Sequence, residues 1–131
     1  MLLNVPAKGL PQILISASDH ARLTALAESA ARRGADAADR LLFELDRAVV
    51  LDSEALPQGI VRMGSKVTYR EENRGARTVT LVYPADANID DMRISVLTPI
   101  GAALIGMQAG QSIEWSDPSG HRRMLTVVDA H

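Results

Sequence analysis

The chain has 131 residues, 47% of them apolar and 23% charged, which is the composition of one globular unit of average size. Six Lys/Arg stand against eight Asp/Glu up to residue 59, and eight against eight beyond it, so no basic excess exists to grip nucleic acid or an anionic membrane. The lack of cysteine excludes disulfides, thiolate metal sites and Cys nucleophiles, the four aromatics leave little for a base-stacking platform, and no apolar run approaches the roughly 20 residues of a membrane span.

In chain order, the first residues are interrupted by Pro6, Lys8 and Pro11 and carry no signal-peptide core. The expectation is a flexible start on a cytoplasmic protein. Gln12-Ile-Leu-Ile15 is a short extended apolar run. Ser16-Ala-Ser-Asp19 fits a capping box, in which hydroxyl and carboxylate satisfy free amides at a helix start. Leu23, Leu26, Ala27 and Ala30 then form one apolar stripe, Arg32 and Arg33 suit the last turn, and Gly34 stops the helix. A second helix begins with Asp36 as its cap. Leu41, Leu42, Leu45, Ala48 and Val49 make its stripe, with Arg40, Glu44 and Arg47 on a polar surface face. Two amphipathic helices joined this closely fold back on each other. Nine of the 22 residues from Ala17 to Ala38 are alanine, so the axes approach closely and the pair is slim, rigid enough to project but too thin to fold alone.

Leu56-Pro-Gln-Gly59 reads as a linker, which places a boundary between residues 1–57 and 58–131. Beyond it the apolar pattern alternates. Residues 66–70 and 77–83 flank the turn 71–75 as a hairpin, Ile94-Ser-Val96 is a third strand, and residues 111–115 and 124–128 are two more, joined by the turn Asp117-Pro-Ser-Gly120. Thr98 caps a short apolar helix opened by Pro99 and ended by Gly106. The fold class is therefore α+β: an antiparallel helical hairpin, then a small antiparallel sheet with one short helix on a face.

The chemistry-bearing residues are few. His20, His121 and His131 have no ligand partners at helical spacing and read as exposed. Gly101-x-x-x-x-Gly106 lacks the Lys-Ser/Thr of a phosphate loop and reads as a buried helix. Asp36 and Asp39, three apart, share one helical turn; they are either helix-start acids that complement the dipole or half of a divalent-cation site that a partner would complete. Lys66, Arg70, Arg74, Arg77, Arg122 and Arg123 are either solvated charges that protect sheet edges or a protein-docking surface.

The order of these parts resembles the Gre transcription-elongation-factor superfamily, and within it the branch of regulators of nucleoside diphosphate kinase (Rnk). The residues that carry the resemblance are Glu44-Leu-Asp-Arg-Ala48, Thr80-Leu-Val-Tyr-Pro-Ala85, Ser95-Val-x-x-Pro-x-Gly-Ala-Ala-Leu-Ile-Gly106 and Gly110-Gln-Ser-Ile-x-Trp115, with Gln111 where an acid is usual. The resemblance covers about residues 11–129. It implies an FKBP-like C-terminal domain and an N-terminal short coiled coil that enters the secondary channel of bacterial RNA polymerase, in competition with Gre-type factors. In the Gre proteins proper, two acids at the coiled-coil tip help to position Mg²⁺ for cleavage of backtracked RNA, and Asp36 and Asp39 resemble that pair in spacing. An arm of about 17 residues spans only about 25 Å at 1.5 Å per residue, and the cleavage-stimulating factors of the superfamily have much longer arms, so the resemblance implies that this tip meets the channel wall and not the catalytic metals. A non-enzymatic occupant of the channel follows, with no cofactor or metal of its own. Two other functions fit the resemblance: control of nucleoside diphosphate kinase level through another protein partner, and prolyl isomerisation, for which Tyr69, Tyr83 and Trp115 supply little aromatic wall.

Overall fold

The computed structural model describes residues 10–131; most of the flexible start expected from the sequence lies outside the described residues. Strand β1 (Leu14–Ser16) buries Ile15 behind the equally buried Ile13. Ser16 then turns the chain into helix α1 (Ala17–Arg32), its hydroxyl accepting from the Asp19 N–H at 3.1 Å. That is one bond of the expected capping box. Leu23, Ala27 and Ala30 form the buried stripe, and Leu26 flanks it half-buried.

Gly34 ends the helix in a left-handed conformation (φ +79°) that other residues adopt at a cost. The N–H groups of Gly34 and Ala35 close back on the carbonyls of Ala31 and Ala30, at 3.0 and 3.1 Å. Because Ala35 finishes α1, it also serves as the N-cap of helix α2 (Asp36–Arg47), with no side-chain cap bond. Asp36 is therefore the first helical residue and not the cap.

Three further expectations for α2 are corrected. The helix stops at Arg47, and Val49–Leu51 forms strand β2, parallel to β1 with Leu14 opposite Val49 and Ser16 opposite Leu51. Val49 sits four residues after Leu45 and so mimicked one more helical step, but successive β-branched valines favour the extended chain. Glu44, assigned to the surface, is fully buried. The helix also does not project freely, because it lies against helix α3 (Pro99–Leu104).

Strands β3 (Lys66–Glu71), β4 (Ala76–Val82), β5 (Arg93–Ser95), β6 (Ser112–Ser116) and β7 (Arg122–Ala130) form a sheet in the order β5-β4-β3-β7-β6. It is mixed, not antiparallel: β5 runs parallel to β4, with Leu81 opposite Ile94. The segment from Tyr83 to Met92, two short 3₁₀ turns ending in a left-handed Met92, carries the chain back along the sheet edge before β5 starts. A parallel pair needs such a crossover, and a simple hairpin count overlooks it.

Thr98 caps α3 as expected. Its hydroxyl donates to the Ser95 carbonyl (2.7 Å) and accepts from the Gly101 N–H (3.0 Å). A Cβ at Gly101 would stand 2.1 Å from the Ser95 carbonyl oxygen, so only glycine lets the helix sit this close to β5. Residues 101–107 are buried, in agreement with a structural reading of the Gly101-to-Gly106 spacing.

The core is contiguous across the chain. Ile13, Leu23 and Leu41 from the first part join Val67, Leu81, Ile113 and Leu125 of the sheet through Leu104 and Met107. Each such side chain, fully buried, contributes about 2 kcal/mol.

Candidate docking site

The buried carboxylate of Glu44 fixes the helix pair to the rest of the molecule. Its Oε2 accepts from Arg40 Nε and its Oε1 from Arg47 Nε, both at 2.9 Å. Each arginine then reaches onward: Arg40 donates to the Glu114 carbonyl on β6 (3.1 Å), and Arg47 donates to the Pro11 carbonyl. At the base of the pair, His20 Nε2 meets the Leu45 carbonyl at 3.0 Å, so this half-buried histidine joins α1 to α2 and is not the free surface residue expected. The Arg22 guanidinium lies over the Tyr83 ring, 4.5 Å from its centroid, and holds the start of α1 against the end of β4.

Alternating burial and register place the six predicted cations on different surfaces. Lys66 and Arg70 alternate with buried Val67, Tyr69 and Glu71, and therefore face solvent on the outer side of the sheet. Arg122, opposite Ser116, shares that side. Arg74 is in the β3–β4 turn. Arg77 lies opposite Tyr69 on the inner side, and Arg123 lies opposite Trp115, also on the inner side. Arg123 is already engaged, with Nε 2.8 Å from Asp117 Oδ2. The set does not form one patch.

What gathers on the inner side is an apolar pocket of about 440 Å³ between the sheet and α3. Tyr69, Val79, Ile94, Pro99, Ile100 and Trp115 supply its walls, and Arg77 and Arg93 line it too. Burial pushes the Tyr69 phenol above its ordinary value. A volume in this range, apolar walls and a few polar groups are the usual makings of a binding site.

Next to it, sharing Pro99 and Pro118, is a groove of about 390 Å³ that Asp36, Ala37 and Arg40 line together with Ser116 and Asp117. Asp36 thus faces the C-terminal part of the molecule. Asp39, also exposed, is not among the groove residues. Among the described residues no three His, Asp or Glu side chains gather to hold a metal ion.

Two of the three aromatics weighed for a prolyl pocket, Tyr69 and Trp115, do line this one, and Tyr83 does not. The apolar remainder of the wall is not legible in the sequence, because Tyr69, Ile94, Ile100 and Trp115 belong to four different elements. The one available signal was the Pro99-to-Gly106 helix, whose apolar face had to cover something.

Comparisons with known proteins add a family to this geometry. Residues 56–131 match the family described as "Transcription elongation factor, GreA/GreB, C-term", and residues 11–51 match "Rnk N-terminus". The chain is 40% identical to a protein named regulator of nucleoside diphosphate kinase from Escherichia coli, over 91% of this chain and 88% of that protein. It is 44% identical to a transcription elongation factor GreA from Chloroflexus aurantiacus, over 64% of this chain and 54% of the relative. Among solved structures, a prokaryotic transcription elongation factor GreA/GreB from Nitrosomonas europaea superposes with a TM-score of 0.72 at 38% identity, over 91% of this chain and 98% of the other.

Proposed function

The chain belongs to the GreA/GreB transcription elongation factor family and carries the Rnk N-terminus, and on that premise we propose that it regulates transcription by binding bacterial RNA polymerase at the secondary channel. In this reading residues 58–131 form an FKBP-like docking unit. Residues 1–57 supply a short coiled coil that occupies the channel mouth as a steric element and competes there with Gre-type factors. It acts where the polymerase is, in the cytoplasm.

The observation that carries the reading is the union of a Gre-type C-terminal part with helices of only 16 and 12 residues. At 1.5 Å per residue these span about 24 and 18 Å. Asp36 and Asp39 at their far end therefore stay clear of the catalytic metals, and transcript cleavage is not stimulated. The near balance of charge favours a protein partner over nucleic acid. The apolar pocket serves as a docking feature in this account; with Tyr69 and Trp115 as its only aromatic lining, it is poorly furnished to hold a prolyl peptide for isomerisation.

The full chain should co-migrate with core RNA polymerase and be displaced by an added cleavage factor, without shortening transcripts in backtracked complexes. A second reading follows from the printed name of the Escherichia coli relative, regulation of nucleoside diphosphate kinase through another protein. Recovery of the kinase and not the polymerase in a pull-down would replace the first reading with the second.

A further inference from the structure

The apolar pocket and the groove under the start of α2 are one surface. They meet at Pro99 and Pro118, and their charges are arranged in a direction. At the pocket end stands Arg77, exposed and in no ion pair among the described residues. At the other end stands Asp36, exposed and equally without a partner there. The charges between them are satisfied internally: Arg40 is held by Glu44 and the Glu114 carbonyl, and Asp117 by Arg123. The groove therefore presents free positive charge, an apolar middle and free negative charge, in that order.

We propose that this groove binds one peptide segment of a partner protein, bearing an acidic residue, then an apolar anchor, then a basic residue, and that Asp36 belongs to this docking surface. The occupant follows from complementarity. The acid pairs with Arg77, the anchor fills the pocket between Tyr69, Ile100 and Trp115, and the base meets Asp36. Nucleic acid, negative along its whole length, would be repelled at Asp36 and would leave the pocket empty. A single small anion would use the arginine end and leave the Asp36 end idle. The role of Asp36 changes accordingly: an acid at the tip of the helix pair grips the partner segment held by the C-terminal unit. This inference rests on the reading of that unit as the docking body, and it specifies what is docked.

The test is a random-sequence peptide array probed with the full chain. Peptides in the order acid, apolar, base are expected to be enriched. Arg77→Glu and Asp36→Lys should each weaken the best peptide about tenfold, and the double variant should prefer the peptide with its charges reversed. That rescue also shows that the variants are folded. Enrichment of apolar peptides without charge order, or loss on Arg77→Glu with none on Asp36→Lys, would overturn the proposal. An array with no enriched peptide would overturn it too, whatever the polymerase does. If the ordered peptides bind but core polymerase does not, the inference stands and the choice of polymerase as partner fails.

Discussion

Asp117, in the turn between β6 and β7, shows how much one side chain can organise. Its Oδ1 accepts from the Ser119 hydroxyl (2.6 Å) and from the N–H groups of Ser119 and His121 (both 3.0 Å), while Oδ2 accepts from Arg123 Nε (2.8 Å). The Ser119 hydroxyl, then the Arg123 guanidinium and the two backbone amides, hold this carboxyl well below its ordinary value of 3.8. A carboxyl depressed in the folded state adds stability above its unfolded value, and loses it as the pH falls through the folded one. From about pH 4 downward, the native chain should therefore lose stability more steeply than Asp117→Asn, as read from urea midpoints taken at neutral pH and at successive acid steps. Parallel acid limbs for the two proteins would show that these bonds do not contribute. The Asp-Pro-Ser-Gly composition of the turn was legible in the sequence. The guanidinium that completes it was not, because Arg123 was counted among free cations.

At the scale of elements, α2 is held by charge as much as by its apolar stripe. Glu44 has its partners at i−4 and i+3, a pattern indistinguishable in sequence from an exposed ion pair. What buries it is the approach of β6 and of residue 11, whose carbonyls complete the arginines. Removing Arg47 leaves a carboxylate that is 1% exposed with a single charged partner, and should cost about 3 kcal/mol in urea denaturation. Glu44→Leu should cost less, because Arg40 and Arg47, at 26% and 18% exposed, can turn to water. Equal losses would mean that packing and not the charge network dominates. This also gives a physical sense to the Glu44-Leu-Asp-Arg-Ala48 stretch: its Glu and Arg fasten the helix, and its Ala ends it.

At the scale of the whole molecule, a boundary near residue 57 divides the chain by pattern, while the buried core runs across it. Leu41 and Leu45 of α2 belong to the same cluster as Leu104 and Ile105 beside them. Units that share a core lose it together, so thermal unfolding should be one transition, with helical circular dichroism and the fluorescence of the single tryptophan, Trp115, changing in step. An early loss of helix signal would mark residues 1–57 as an independent unit. The sequence by itself determined the family, the α+β order of elements, the stop at Gly34, the cap at Thr98 and the buried character of the Pro99 helix. These depend on spacing along the chain and on what single residues permit. Only the tertiary structure decided that β5 runs parallel to β4, that Glu44 is buried, that the six cations fall on different surfaces, and that Asp36 shares a groove with Pro118. Those outcomes depend on which distant segments meet, and local periodicity carries no information about that.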